Sequence, residues 1–173
     1  PEKTEITLHV ELSQAERSFY EALRREALTK LSQTEGGNPG EQRMKILAEI
    51  TRLRQAACHP QLVSPELELS SSKLQLFGET LLELRQNGHK ALVFSQFVKH
   101  LRLVEEWIQE QGITYQYLDG QTPMKQREAR VKAFQQGEGD VFLISLKAGG
   151  VSLNLTAADY VIHLDPWWNP AVE

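Results

Sequence analysis

The chain has 173 residues, 40% of them hydrophobic and 24% charged, which are ordinary proportions for a globular domain long enough to bury a core. A single cysteine, Cys58, excludes an internal disulfide framework, and the lack of a long apolar run leads us to expect neither a membrane span nor a signal peptide. We therefore expect a cytoplasmic or otherwise intracellular protein, and the net charge of −4 predicts that the isolated chain binds polyanions weakly.

Residues 1–70 are predicted to be mostly helical and to form a unit of their own. After a short extended segment, Ser13 and Glu16 make a capping-box pattern, which predicts the start of a first helix. A glycine- and proline-rich break at 32–40 separates it from a second predicted helix at 41–58. The apolar side of the second helix is predicted to consist of Met44, Leu47, Ile50 or Leu53, and Ala57.

From residue 71 onward the pattern changes to helices and strands in alternation. Strands separated by helices of this length predict an α/β fold with a parallel sheet flanked by helices. Thr122 is predicted to cap the last of these helices, because Pro123 follows it at the first helical position. The predicted strands are 90–97, 113–118, 141–146 and 160–164.

Small and polar residues follow each predicted strand at its carboxyl end. In a parallel sheet these ends share one edge, which is where ligands bind. Four such loops at one edge therefore predict a ligand-bearing face. The loops are Ser95-Gln96, Asp119 to Thr122, Ser145 to Gly150, and Asp165 to Asn169.

Two adjacent glycines, Gly149 and Gly150, lie in the third of these loops. Glycines directly after a strand let the backbone approach a phosphate closely and direct its N–H groups at the anion. A tight turn inside a buried α/β crossover explains the same pattern without a ligand. The glycine pair alone leaves both interpretations open.

Basic residues form two local clusters despite the acidic balance of the chain. A solvated helix face is the more frequent meaning of such a cluster, and contact with a polyanion is the alternative. The clusters are Lys90, Lys99, His100 and Arg102, and Lys125, Arg127, Arg130 and Lys132.

Two adjoining motifs carry a family resemblance. The first is Ser145-Leu-Lys-Ala-Gly-Gly-Val-Ser-Leu-Asn-Leu-Thr-Ala-Ala-Asp159, and the second is Asp165-Pro-Trp-Trp-Asn-Pro170. Together they resemble the end of the second motor lobe of SWI/SNF-type ATPases, helicase-like enzymes that translocate on double-stranded DNA. Ser152 departs from the family pattern, in which most members carry a glycine there. Weaker similarities at 53–60, 90–97 and 117–122 extend the resemblance over most of the chain.

The resemblance implies a fold and an activity. Residues 71–173 would be a RecA-like C-terminal lobe that stops before the last family motif, and residues 1–70 would be the inter-lobe linker and helical insertion. The parent protein would be an ATP-dependent DNA translocase of the chromatin-remodelling kind, using ATP and Mg²⁺, neither of which is expected to be bound to this part alone. The implied partners are double-stranded DNA and the N-terminal motor lobe of the same chain, and self-association through the exposed cleft face is a further hypothesis.

The resemblance also implies two sets of contact residues. Gly149, Gly150 and Asn154 would face the nucleotide. Trp168 would contact the duplex, because a planar apolar ring stacks on sugars or bases without reading sequence. Thr122 is implied to contact DNA as well, although a role in capping its helix explains this residue equally well. The residues implied to contact DNA are Ser95, Gln96, Gly120, Thr122, Ser145, Lys147 and Trp168.

Two parts of an ATPase site are missing from the sequence. It contains no Gly-x-x-x-x-Gly-Lys-Ser/Thr loop and no Asp-Glu pair at the end of a predicted strand. The family places both in its first lobe, so we expect no catalytic residue in this chain and no ATP hydrolysis by it alone. Cys58, His59 and His163 are too irregularly spaced to predict a metal site.

Three alternatives remain open at this point. A related helicase-like lobe acting on RNA is the first, although the Trp-Asn-Pro motif and the helical insertion argue against it. A non-enzymatic α/β module for protein contacts is the second, with Ser152 as a first sign of decay. A nucleotide-binding domain unrelated to motors is the third, and the ordered set of four loops argues against it.

Overall fold

The computed structural model describes residues 2–34, 36–148 and 153–166, and the chain divides into two units, Pro1–Leu76 and Phe77–Glu173. Among the described residues, no helix combines the length and the apolar character needed to cross a membrane. The elements in chain order are α1 (Gln14–Ser32), α2 (Pro39–Cys58), a 3-10 turn (Pro60–Leu62), α3 (Ser72–Gln86), β1 (Ala91–Ser95), α4 (Val98–Glu110), β2 (Tyr115–Leu118), α5 (Met124–Gln135), β3 (Val141–Ser145) and β4 (Tyr160–His163).

The first unit begins its helices where local sequence signals place them. The capping box of α1 is present, since the Glu16 N–H donates to Ser13 Oγ and the Ser13 N–H donates to Glu16 Oε1, both at 3.2 Å. Helix α2 begins at Pro39, two residues before the predicted start, because Asn38 caps it by accepting the Gly40 N–H at 3.1 Å. Proline is favoured in a first turn, where its missing N–H costs nothing.

The predicted apolar side of α2 is largely exposed to solvent. Met44, Leu47 and Ile50 are 73%, 52% and 48% exposed. The residues of α2 that are buried, Ala56 and Cys58, lie at its end. Helical periodicity therefore located an apolar stripe here but not a buried one.

Glu16 joins the start of α1 to the start of α3 within the first unit. Glu16 is 4% exposed, and its carboxylate accepts the Ser72 N–H at 3.3 Å and the Ser72 hydroxyl, in addition to its capping-box bond. Burial acts to raise the pKa of Glu16, but the hydrogen bonds from Ser72 and Ser13 together hold this pKa below its ordinary value of 4.5. One carboxylate thus satisfies backbone donors at two helix N-termini.

We expect Glu16→Gln to lower the free energy of unfolding of the helical unit by about 1–2 kcal/mol at pH 7, because charge-assisted hydrogen bonds are replaced by weaker neutral ones. A depressed folded-state pKa stabilises the fold above the unfolded-state value and loses this contribution as the pH falls through the folded-state value. The difference between wild type and variant should therefore shrink below pH 4.5. Urea titrations followed by circular dichroism at 222 nm at several pH values measure it.

Glu21→Gln is the control for this experiment. Glu21 lies on the same helix, but its partner is the exposed Arg24 at 3.0 Å, and exposed ion pairs contribute only about 0–1 kcal/mol. An equal loss of stability in the two variants would contradict the role given to Glu16.

The second unit is built on a four-stranded sheet in the order β2-β3-β1-β4. All three pairings are parallel, which confirms the predicted sheet. Strand β3 is buried at all five positions, as expected for a central strand covered on both faces. Helix α4 contributes Leu101, Val104 and Ile108 to the core. Gly112 ends the turn after α4 with a φ of +67°, a conformation that favours glycine.

Candidate functional site

The carboxyl ends of the four strands meet at one edge of the sheet, as the sequence predicts. Ser95 at the end of β1 is the ladder partner of Ser145 at the end of β3. The Leu146 N–H donates to the Ser95 carbonyl oxygen at 3.0 Å, which carries the pairing one residue beyond the strands. Two of the predicted contact residues therefore lie side by side at this edge.

Asp165 organises the edge between β1 and β4. Its Oδ1 accepts the Gln96 N–H at 3.0 Å, and its Oδ2 accepts the Ser95 hydroxyl. The Gln96 side chain in turn donates to the Pro166 carbonyl oxygen at 3.2 Å. The loop after β1 and the loop after β4 are thereby joined at three points.

The charge of Asp165 is held in a buried setting. Asp165 and His100 are both 1% exposed at the side chain, with His100 Nδ1 3.6 Å from Asp165 Oδ2. That separation is too long for a hydrogen bond, and neither ring nitrogen of His100 has a hydrogen-bond partner among the described residues. Burial acts to raise the pKa of Asp165, but His100, the Gln96 N–H and the Ser95 hydroxyl hold this pKa below 3.8.

The loop after β2 closes on Asp119. Its Oδ1 accepts the Gln121 N–H at 2.9 Å, its Oδ2 accepts the Tyr117 hydroxyl at 2.9 Å, and its own N–H donates to Thr122 Oγ1 at 3.1 Å. Burial acts to raise the pKa of Asp119, but the bonds from the Tyr117 hydroxyl and the Gln121 N–H, together with the nearby Arg102, lower it overall. The pKa of Tyr117 is raised by burial and by its bond to the Asp119 carboxylate.

The predicted capping role of Thr122 is wrong. Helix α5 begins at Met124 with Pro123 as its N-cap and without a side-chain cap. The Thr122 hydroxyl faces Asp119, three residues earlier, instead of the helix. Short polar side chains compete for backbone groups in this way, and here the turn prevails over the helix end.

Several basic residues of the two sequence clusters form contacts within the fold. Arg127 donates to the carbonyl oxygens of Thr122 and Asp119 at 2.9 and 3.2 Å, and Arg130 donates to that of Tyr117 at 2.5 Å. In the other cluster, His100 is buried, Lys90 donates to the Phe134 carbonyl oxygen at 3.5 Å, and Arg102 stacks on Tyr117 with Cζ 4.0 Å from the ring centre. Spacing alone does not distinguish such residues from phosphate-binding ones.

The predicted DNA-contacting residues fall into three groups by accessibility. Gly120 and Lys147 are exposed and Gln96 is partly exposed. Ser95 and Ser145 are 0% and 1% exposed, and Thr122 is also buried. The remaining predicted residue, Trp168, lies outside the described residues.

Of the predicted nucleotide-facing residues, Asn154 is exposed, whereas Gly149 and Gly150 lie outside the described residues, as does Ser152. Much of the rest of this motif supports the fold, since Leu153, Leu155, Ala157 and Ala158 pack against the core. Asp159 lies at the opposite, amino edge of the sheet, where it accepts the Lys90 N–H at 2.9 Å and contacts His89 Nδ1 at 2.5 Å.

Comparison with known proteins gives consistent matches. The family described as "Helicase conserved C-terminal domain" matches residues 72–173. The zebrafish (Danio rerio) protein "Chromodomain-helicase-DNA-binding protein 1-like" is 33% identical over 98% of this chain. The chain spans only 17% of the length of that relative.

Two solved structures from Sulfolobus solfataricus share the fold. The SWI2/SNF2 ATPase C-terminal domain superposes with a TM-score of 0.83 at 28% identity, over 96% of this chain and 73% of that one. The SWI2/SNF2 ATPase core in complex with dsDNA gives a TM-score of 0.80 at 25% identity, over 93% of this chain and 34% of that one.

Proposed function

The chain belongs to the helicase conserved C-terminal domain family, in its SWI2/SNF2 branch, and we propose that it is the second motor lobe of an ATP-dependent double-stranded DNA translocase. The lobe would contribute one part of the grip on the DNA backbone and one wall of the ATP cleft. A solved relative that carries the SWI2/SNF2 core in complex with dsDNA supports the choice of duplex DNA.

One observation carries the proposal for DNA. Gly120, Lys147 and Gln96 follow β2, β3 and β1, which are consecutive strands of the sheet, and all three are accessible. Neighbouring strands lie about 4.8 Å apart, so the three positions form a row roughly 10 Å long. Each strand of a duplex carries one phosphate per 3.4 Å or so of the helix axis, and successive phosphates lie further apart than this in space because the strand winds around the axis. An amide, a backbone N–H and an ammonium group in such a row suit two or three phosphates.

These donors would hold the backbone without reading sequence. Contacts from lysine, glutamine and backbone N–H groups to phosphates fix position and carry no base information. A translocase needs this property because it must grip every sequence that it meets. Trp168 would add a contact to sugars or bases by the same sequence-tolerant logic.

The nucleotide would be ATP with Mg²⁺, bound between this lobe and an N-terminal motor lobe of the same protein. Gly149, Gly150 and Asn154 would face it from this side. The bound nucleotide supplies the free energy of phosphoryl transfer, which changes the relative stability of open and closed lobes. The chain itself lacks a phosphate-binding loop and a strand-end Asp-Glu pair, so hydrolysis would require the other lobe.

ATP hydrolysis by the full-length protein with no nucleic acid, with duplex DNA and with RNA tests this function. We expect duplex DNA to stimulate hydrolysis and RNA to have little effect. Stimulation by RNA alone would favour an RNA-acting enzyme, and no hydrolysis under any condition would favour a non-enzymatic protein-interaction module.

Gly120→Ala tests the DNA surface in the same assay. A Cβ at Gly120 would meet no atom within 4 Å, and the backbone there is not left-handed, so the fold itself does not require glycine. We expect unchanged thermal stability and a roughly tenfold higher DNA concentration for half-maximal stimulation, equivalent to about 1.4 kcal/mol of binding free energy.

Gly37→Ala is the matched control, because a Cβ there makes only an ordinary contact of 3.7 Å with the Thr34 carbonyl oxygen. It should leave both the stability and the DNA dependence unchanged. A Gly120→Ala variant with wild-type DNA dependence would remove Gly120 from the proposed surface.

A further inference from the structure

We propose that Arg127 is the positioning residue that holds the DNA-facing loop after β2 in register with the nucleotide-facing loop after β3. The inference rests on the proposed function, since it concerns how the two ligand-binding loops of that lobe are coupled. It assigns to one guanidinium group a role that neither loop has by itself.

The geometry of Arg127 carries the inference. Its Nε donates to the Thr122 carbonyl oxygen at 2.9 Å and its Nη2 donates to that of Asp119 at 3.2 Å, which brackets the turn that contains Gly120. Its Nη1 donates to the Ala148 carbonyl oxygen at 3.5 Å, at the residue directly before the glycine pair. Three nitrogens of one rigid, planar group therefore connect both loops.

The packing around Ala148 fixes the residue that Arg127 reaches after β3. Ala148 is 1% exposed and belongs to the same core cluster as Leu118, which precedes the β2 loop, and Phe134, which lies on α5 with Arg127. The Ala148 N–H donates to the Ser145 carbonyl oxygen at 3.0 Å. Ala148 is therefore fixed by the core and by its own main-chain bond, and the Arg127 contact at 3.5 Å is the link between it and the loop after β2.

Arg130 provides a matched comparison on the same helix. It lies one turn further along α5, is also partly buried, and also donates to a main-chain carbonyl oxygen, that of Tyr117 at 2.5 Å. Its second bond goes to Gln126 Oε1 at 3.3 Å, one turn back on the helix. None of these bonds reaches the loop after β3, so Arg130 secures α5 to β2 without bridging the two loops.

The substitutions separate three roles. Arg127→Lys keeps the positive charge but cannot span three carbonyl oxygens with one ammonium group, whereas Arg127→Gln removes charge and bridge together. A role in attracting phosphate would be rescued by lysine, and a role in bridging would not. A role in the general stability of α5 would be shared by Arg130.

The experiment measures the DNA stimulation of ATP hydrolysis by the full-length protein, together with its melting temperature. We expect Arg127→Lys and Arg127→Gln each to reduce the stimulation about tenfold, a typical coupling between sites. Arg130→Lys and Arg130→Gln should keep wild-type stimulation even where their melting temperatures fall as much. Hydrogen exchange at residues 145–148 should rise in the Arg127 variants alone.

Four results would overturn the inference, and the last of them would also overturn the proposed function. Wild-type stimulation in Arg127→Lys would show that only the positive charge of Arg127 matters. Equal losses of stimulation in the Arg130 variants would show that Arg127 only stabilises α5. Wild-type stimulation in both Arg127 variants would remove the role while leaving the proposed function intact. A wild-type protein that DNA does not stimulate would instead overturn the proposed function, and this inference with it.

Discussion

Replacing Asp165 by alanine is expected to lower the free energy of unfolding of the second unit by roughly 3–5 kcal/mol, the usual cost of removing one partner from a buried charged network. The substitution leaves the Gln96 N–H and the Ser95 hydroxyl without their acceptor. It also leaves His100, which is 1% exposed, without the carboxylate beside it. Buried donors that lose their acceptors retain their full desolvation cost.

Asp165→Asn removes the negative charge of the side chain but keeps nearly the same shape, so it measures the contribution of the charge. Its amide oxygen can still accept the Gln96 N–H, so we expect a smaller loss, about 1–3 kcal/mol. Because burial raises but the surrounding donors lower the pKa of Asp165 to below 3.8, the stabilising charge is present at neutral pH and is lost as the pH falls through the folded-state pKa. The difference in the free energy of unfolding between wild type and Asp165→Asn should therefore be largest near pH 7 and shrink below pH 3.8.

Urea unfolding followed by tryptophan fluorescence measures both effects. All three tryptophans, Trp107, Trp167 and Trp168, lie in the second unit, so the signal reports on that unit alone. Alanine and asparagine variants of equal stability would contradict the hydrogen-bond network described for Asp165. If the difference in unfolding free energy between wild type and Asp165→Asn grows as the pH falls, the lowered pKa given for Asp165 is contradicted.

Gly78→Ala is expected to destabilise the second unit by about 1–3 kcal/mol, the usual cost of overpacking. Gly78 lies inside α3, where the intrinsic helix preference alone favours alanine by about 1 kcal/mol. A Cβ at Gly78, however, would lie 2.6 Å from Trp107 Cζ2 and 3.1 Å from two further atoms of the indole. The sign of the change in the free energy of unfolding therefore shows whether helix propensity or packing against Trp107 has the larger effect at Gly78.

Trp107→Phe provides the test of cause. Phenylalanine lacks the second ring that meets the new methyl group, so Gly78→Ala should cost much less in that background than in the wild type. A double-mutant cycle on the fluorescence-independent circular dichroism signal measures the coupling. Stabilisation by Gly78→Ala in the wild-type background would contradict the close packing of Trp107 on α3.

Local signals in the sequence predicted the elements well because their causes lie within a few residues. The capping box of Ser13 and Glu16 places the start of α1, and short apolar segments locate all four strands to within two residues at each end. A sheet of strands separated by helices must be parallel, so the meeting of four polar loops at one edge followed from chain order alone. The motif at 145–159 also led to the correct family, because its residues follow one another in the sequence and can be read without knowledge of the fold.

Tertiary contacts decided the rest. Thr122 shows a local failure, because the backbone N–H of Asp119, three positions earlier, donates to the hydroxyl oxygen that would otherwise cap α5. Met44 shows that a helical stripe can remain exposed, since periodicity describes the helix and not what packs against it. Whether a basic residue meets solvent or a carbonyl oxygen depends on the elements around it, which is why Arg127 looked like part of a surface cluster.

The sequence by itself determined the secondary structure, the parallel sheet, the edge that carries the loops and the family. Only the tertiary structure decided which side chains at that edge are free to meet a ligand. Ser95 and Asp165 are 70 residues apart and form a buried pair, while Gln96, next to Ser95, remains accessible. Hydrogen bonds between distant residues depend on distance in space, which spacing along the chain does not encode.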